Sequence, residues 1–108
     1  MEGGQQLSMH VADEDGVCTL ALQGELDMAT APGFRERLLG LFDDGVRRLV
    51  IDLGGLAYVD SVGLGILAGG LKRYREAAGD LYLRRPQGQV SQVLDLTGVA
   101  QLFDAHPA

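Results

Sequence analysis

The 108-residue sequence has no tryptophan, one cysteine, three prolines and few aromatic residues, and each shortage removes a class of explanation. A lone Cys18 permits neither an internal disulfide framework nor a zinc site built on thiolates. The two histidines, His10 and His106, stand near opposite ends of the chain, so there is no sequence-local metal cluster and no metal or other cofactor is expected. Basic residues are scarce too: nine Lys and Arg against fifteen Asp and Glu give a net charge of -6. They never run beyond pairs, at Arg47-Arg48, Lys72-Arg73 and Arg84-Arg85, so the clustered positive surface that tracks nucleic-acid phosphates is missing and direct nucleic-acid binding is not expected. The start, Met1 to Gln6, lacks the basic and apolar regions of a signal peptide, and no apolar run is long enough to span a bilayer. The expectation is a soluble, cytoplasmic protein without membrane insertion.

What remains is 46% hydrophobic and 22% charged, the composition of an ordinary globular chain of single-domain length. We expect that domain over residues 7–108, behind a flexible segment 1–6. Leu7, Met9 and Val11 alternate with polar neighbours, Asp15-Gly16 interrupts, and Cys18, Leu20 and Leu22 alternate again, which reads as a hairpin. Cys18 should then be a buried small hydrophobe and inert. Thr30-Ala31-Pro32 reads as a helix start with Thr30 as N-cap, followed by Phe34, Leu38, Leu41 and Phe42 at helical spacing and closed by Asp43-Asp44-Gly45. Leu49 to Leu53 is an almost uninterrupted apolar run, as expected of a central strand covered on both faces.

A second helical pattern carries Leu64, Leu67, Ala68, Leu71 and Ala78 on one face, and Leu81-Tyr82-Leu83 supplies a further strand. Val90, Val93, Leu94 and Leu96 or Thr97 mark a third helix closed by Gly98, and Leu102-Phe103 a last short strand or turn. Strands 48–53 and 80–84 should be parallel, because the crossover between them is too long for a hairpin and ample for a βαβ unit. The fold class is α/β (α+β): a mixed sheet opened by a hairpin, with helices packed on it.

The unusual segment is Asp60-Ser61-Val62-Gly63-Leu64-Gly65-Ile66-Leu67-Ala68-Gly69-Gly70. Its four glycines would each cost about 1 kcal/mol relative to alanine in a helix interior, so close packing or a partner should offset them. At Gly69 and Gly70 the two readings stand level; at Gly63 and Gly65 an accessible surface is favoured. Gly63 to Ala68 matches a dinucleotide fingerprint in letters only, because its first glycine falls within the helical pattern rather than in the turn after the strand. A nucleophile elbow needs glycine where Val59 stands, which leaves a Ser61 nucleophile a distant third reading, and no GxxxxGK[ST] phosphate loop occurs. Asp60 or Ser61 can serve simply as the N-cap. A serine at a helix start is also where an added phosphate is stabilised by free amides and the helix dipole, so the same position can be a switch.

Gly24-Glu25-Leu26-Asp27 with Thr30-Ala31, Val50-Ile51-Asp52-Leu53, Asp60-Ser61-Val62-Gly63-Leu64-Gly65 and Leu94-Asp95-Leu96-Thr97-Gly98 together resemble a STAS domain. More narrowly, the chain resembles the small bacterial anti-sigma factor antagonists, in order from about Leu7 to Phe103. The resemblance implies a non-enzymatic regulator that, unphosphorylated, binds an anti-sigma factor with serine kinase activity and so releases a sigma factor for transcription. It implies Ser61 as the phosphoacceptor, and Asp27, Thr30, Asp60, Gly63, Leu64 and Gly65 as partner-binding residues. Asp27 has an alternative as a second cap of the first helix. The runner-up function is an accessory STAS subunit of a transport or signalling scaffold, permanently bound and never phosphorylated.

Two departures stand out. Val62 replaces the Ser or Thr common after the acceptor, and the chain stops where many relatives continue into a terminal amphipathic helix. A modest apolar patch at Val99, Leu102 and Phe103, able to support a weak homodimer, is therefore expected.

Overall fold

A computed structural model describes residues 6–105; most of the expected flexible segment 1–6, and the last three residues of the expected domain 7–108, lie outside the described residues. The two alternating runs form β1 (Leu7–Glu14) and β2 (Val17–Leu26), paired antiparallel from Leu7 opposite Gly24 to Glu14 opposite Val17. Between them Asp15 and Gly16 take φ of 54° and 80°, the two left-handed residues that a tight hairpin turn needs to match strand twist.

β3 (Arg48–Val59) lies parallel to β2, and β4 (Asp80–Arg84) parallel to β3, giving one mixed sheet in the order β1-β2-β3-β4. Both parallel pairings are bridged by helices, α1 (Ala31–Asp43) and α2 (Ser61–Glu76), and α3 (Gly88–Thr97) follows β4. The expected class is the observed one.

β3 corrects the sequence reading in length. The strand expected over 49–53 continues through Gly54-Gly55 to Val59. A Cβ at Gly55 would stand 2.9 Å from the Leu22 carbonyl oxygen, so β2 and β3 approach there too closely for a side chain, and the register shifts between Ala21 and Gln23 and between Gly24 and Glu25. The extension matters for function because it carries the chain directly from β3 to Asp60.

One apolar cluster joins Leu20, Leu22, Leu49, Ile51, Leu53 and Leu81 of the sheet to residues of all three helices, among them Phe34, Leu38, Leu67, Leu71, Val90 and Leu94. Tyr74, which periodicity alone did not single out, is fully buried in it. Its ring meets Phe42 edge-on at 5.1 Å and its hydroxyl donates to the Leu38 carbonyl at 2.8 Å. Burial pushes the phenol up to about 12, so it remains a donor.

Three smaller expectations change, and one open choice is settled. Ala78 lies beyond α2, with φ of 63°, because the helix ends at Glu76. Leu96 is 87% exposed rather than part of the buried face of α3. Of the two alternatives for the last element, strand or turn, the turn is the one observed: a 3-10 turn over Val99–Leu102, entered through Gly98 at φ 78°. Cys18 is half-buried against the cluster rather than buried; burial and then the charge of Asp13 push its thiol up, which keeps it protonated. The apolar patch near the C-terminus is present: Val99 and Phe103 are half-buried and Leu102 exposed.

Candidate functional site

The ends of β2 and β3 meet at one carboxylate. Asp60 is the N-cap of α2, where its Oδ1 accepts the Gly63 N–H at 2.9 Å, satisfying one of the amides a helix start leaves unpaired. Its Oδ2 accepts the Met28 N–H at 3.0 Å, and its own N–H donates to the Leu26 carbonyl at 3.1 Å. The start of α2 and the β2–α1 loop are thus fastened to each other through Asp60.

That loop is closed internally as well. Asp27 Oδ1 accepts the N–H groups of Ala29 and Thr30, each at 3.0 Å. Thr30 Oγ1 accepts the Asp27 N–H at 3.0 Å and donates to the Glu25 carbonyl at 2.8 Å. Thr30 occupies the N-cap position of α1 as expected, but its side chain makes no capping bond to the helix. The hydroxyl instead ties the loop to the end of β2, and Asp27 closes a local turn ahead of α1 rather than serving as a second cap of that helix.

Ser61 is the first residue of α2 and is exposed. Its hydroxyl makes no hydrogen bond among the described residues. It sits at the positive end of a 16-residue helix. Among the described residues neither Asp27 nor Asp60 has a basic ion-pair partner, and no group of His, Cys, Asp and Glu could hold a metal ion.

The four glycines of α2 divide differently from the sequence expectation. Gly63 is buried: a Cβ there would lie 2.9 Å from the Leu26 carbonyl oxygen and 3.0 Å from Val59 Cγ2. The accessible surface expected at Gly63 is absent because α2 begins pressed onto the end of β2. Gly70 likewise faces Leu38 Cδ1 at 2.9 Å. Gly65 and Gly69 meet nothing within 4 Å and open onto a groove of about 620 Å³ between α1 and α2, which Arg35, Ile66 and Arg73 also line. Leu64 is buried, 7% exposed. Asp27, Thr30, Asp60, Ser61 and Gly65 therefore share one surface, with Gly63 and Leu64 seated beneath it.

A second charged cluster lies further back along β3. Asp52 is buried, takes Arg85 and Arg84 as ion-pair partners and accepts the Gly54 N–H at 2.9 Å. Gln87 donates to the Gly54 carbonyl, and Gln89 donates to the Val59 carbonyl and accepts the Val59 N–H, so the chain from β4 into α3 is strapped along the free edge of β3. Apart from the local Asp52–Gly54 bond, these contacts are side-chain bonds across roughly thirty positions, so sequence patterning does not signal them.

The sequence model of the STAS domain matches residues 8–108. The anti-sigma-B factor antagonist of Staphylococcus aureus is 29% identical over 97 residues, covering 90% of each chain. The crystal structure of an anti-sigma factor antagonist from Mycobacterium paratuberculosis superposes with a TM-score of 0.83 at 30% identity, covering 95% of this chain and 87% of that one. The anti-sigma factor antagonist SpoIIAA in its unphosphorylated form shares the fold, with a TM-score of 0.72 at 24% identity over 96% of this chain and 89% of that one.

Proposed function

We propose that this chain, which belongs to the STAS domain family, is an anti-sigma factor antagonist whose hold on its partner is switched by phosphorylation of Ser61. The observation that carries the reading is an exposed, unbonded hydroxyl on a platform whose two carboxylates already have partners. Asp60 and Asp27 are occupied with backbone N–H groups, so the surface presents Ser61 without needing to rearrange.

In the unphosphorylated state the chain binds an anti-sigma factor that is also a serine kinase, and the sigma factor is released. The work takes place in the cytoplasm, where sigma factors act. In the transfer step Ser61 Oγ forms a bond to the γ-phosphorus of ATP as the bond from that phosphorus to the β,γ-bridging oxygen breaks. ADP departs, and the hydroxyl proton passes to a base on the kinase. The chain is substrate, not catalyst.

The product carries about -1.5 to -2 additional charges. Amides of the first turn of α2 and the helix dipole tolerate that charge within the chain. A partner packed on the same surface would have to desolvate it, at a cost of several kcal/mol unless a matched cation is present. Asp27 and Thr30 act by holding the loop, Asp60 by joining loop and helix, Gly65 by leaving the face beyond Ser61 open. Gly63 and Leu64 act by seating α2.

The test is binding of the anti-sigma factor kinase to the chain before and after incubation with ATP. The switch requires tight binding before and weak binding after. An accessory STAS subunit would bind equally in both and take up no phosphate.

A further inference from the structure

Single exposed apolar side chains are ordinary on protein surfaces; a group of them at one place is not. Of the large apolar residues that lie exposed, Met28 and Val62 belong to the two segments that Asp60 joins, and Tyr58 lies in the end of β3 that leads into Asp60. Met28 is 72% exposed in the β2–α1 loop, with its N–H on Asp60 Oδ2. Val62, 41% exposed, directly follows Ser61. Tyr58, 40% exposed, stands two residues before Asp60 and pairs across the sheet with Glu25, whose carbonyl holds Thr30.

The loop that holds Met28 out is braced on both sides, by Asp27 with Thr30 and by Asp60. Its backbone freedom is therefore spent before any partner arrives, which removes one of the main costs of association. An unbranched thioether also adapts to an irregular pocket better than a branched side chain.

We propose that Met28 is the anchor of the partner interface, inserting into an apolar pocket on the anti-sigma factor kinase while Val62 and Tyr58 close around Ser61. This rests on the reading of Ser61 as the phosphoacceptor. The occupant follows from geometry: a protein that brings its nucleotide to the Ser61 hydroxyl must cover the helix start and the loop tied to it. An interface of ordinary size, about 800 Å² on each partner, cannot reach Ser61 and leave Met28 and Val62 in water. Apolar contact on both sides of Ser61 also explains why a phosphate there is costly, since the groups around it offer no replacement for lost hydration.

The experiment is calorimetric titration of the anti-sigma factor kinase from the same organism with the wild type, Met28→Ala, Val62→Ala and Leu96→Ala, alongside initial phosphorylation rates and thermal unfolding. Leu96 is the control: it is 87% exposed, but lies near the end of α3, about two turns from the Gln89 that touches β3. Met28→Ala should raise Kd about 10- to 100-fold and Val62→Ala about 3- to 10-fold, with Leu96→Ala within about twofold of wild type and all melting temperatures close to wild type. Met28→Glu, which adds a charge at the same position, should weaken binding further. Wild-type affinity in Met28→Ala, or equal losses in Met28→Ala and Leu96→Ala, would overturn the anchor while leaving Ser61 phosphorylation standing. A wild type that neither binds nor accepts phosphate would overturn the Ser61 reading and the anchor with it.

Discussion

Asp52 and Asp60 lie eight positions apart, one within β3 and one just past its end, and the chain uses them in opposite ways. Burial pushes the Asp52 carboxyl up, but the hydrogen bond from Arg85, the Gly54 N–H and the charges of Arg85 and Arg84 together outweigh it and leave the group below its ordinary value. Asp60 is half-buried and bonded only to backbone N–H groups. At the first site a negative charge is matched by cations and strapped in place. At the second, two carboxylates already take up local amides, and among the described residues neither has a basic ion-pair partner. On the proposed reading, a phosphate at Ser61 would turn to the helix amides, to water and to whatever protein covers it. On that reading, the contrast separates a structural charge from a regulatory one within a single strand and its following turn.

That contrast can be broken most severely at Ser61. Ser61→Asp should fold normally and bind the anti-sigma factor about 100-fold or more weakly, since each 1.4 kcal/mol is a factor of ten; Ser61→Ala should bind like wild type and resist phosphorylation. Equal affinities for wild type and Ser61→Asp, measured by calorimetry, would place Ser61 outside the interface.

Next in size is Gly63→Ala, which drives a methyl into the Leu26 carbonyl and Val59. Urea unfolding should show a loss of about 1–3 kcal/mol; an unchanged midpoint would mean that α2 is not seated there.

Asp52→Asn should cost about 1–2 kcal/mol near neutral pH and leave partner binding intact. The folded carboxyl titrates below its usual 3.8, so its contribution is complete above that value and disappears as pH falls through the lower folded one. The stability gap between wild type and Asp52→Asn should accordingly shrink in acid. A gap that widened there would reverse the assignment of the two arginines.

The smallest effect is a gain. Gly69→Ala adds a methyl where nothing lies within 4 Å, and should stabilise by about 0.5–1 kcal/mol, read as a modest rise in melting temperature. A loss would show the α1–α2 groove to be narrower than its geometry states.

Much of the fold was legible because its signals are local. The Asp15-Gly16 turn, the proline in the first turn of α1 and the left-handed Gly98 after α3 are each set by residues within a few positions. The length of β3 was not legible, because Gly54-Gly55 reads as a break until the close approach of β2 is known. Tyr74 was missed because its burial depends on a carbonyl of another helix. At the candidate site, the D-S-x-G-L pattern with Gly24-Glu25-Leu26-Asp27 marked the residues that the structure brings together. It could not tell the exposed Gly65 from the buried Gly63, since both are spaced like surface positions of one helix and only the end of β2 distinguishes them. Nor could it mark Met28, whose significance lies in a backbone bond to a residue 32 positions away.

The most direct test of the account is to incubate the chain with the anti-sigma factor kinase and ATP and to locate the phosphate by peptide mass mapping. A single phosphate on Ser61, absent from Ser61→Ala, is expected. A phosphate on Thr19, Thr30 or Ser91, or none on a wild-type chain that binds the kinase, would contradict it.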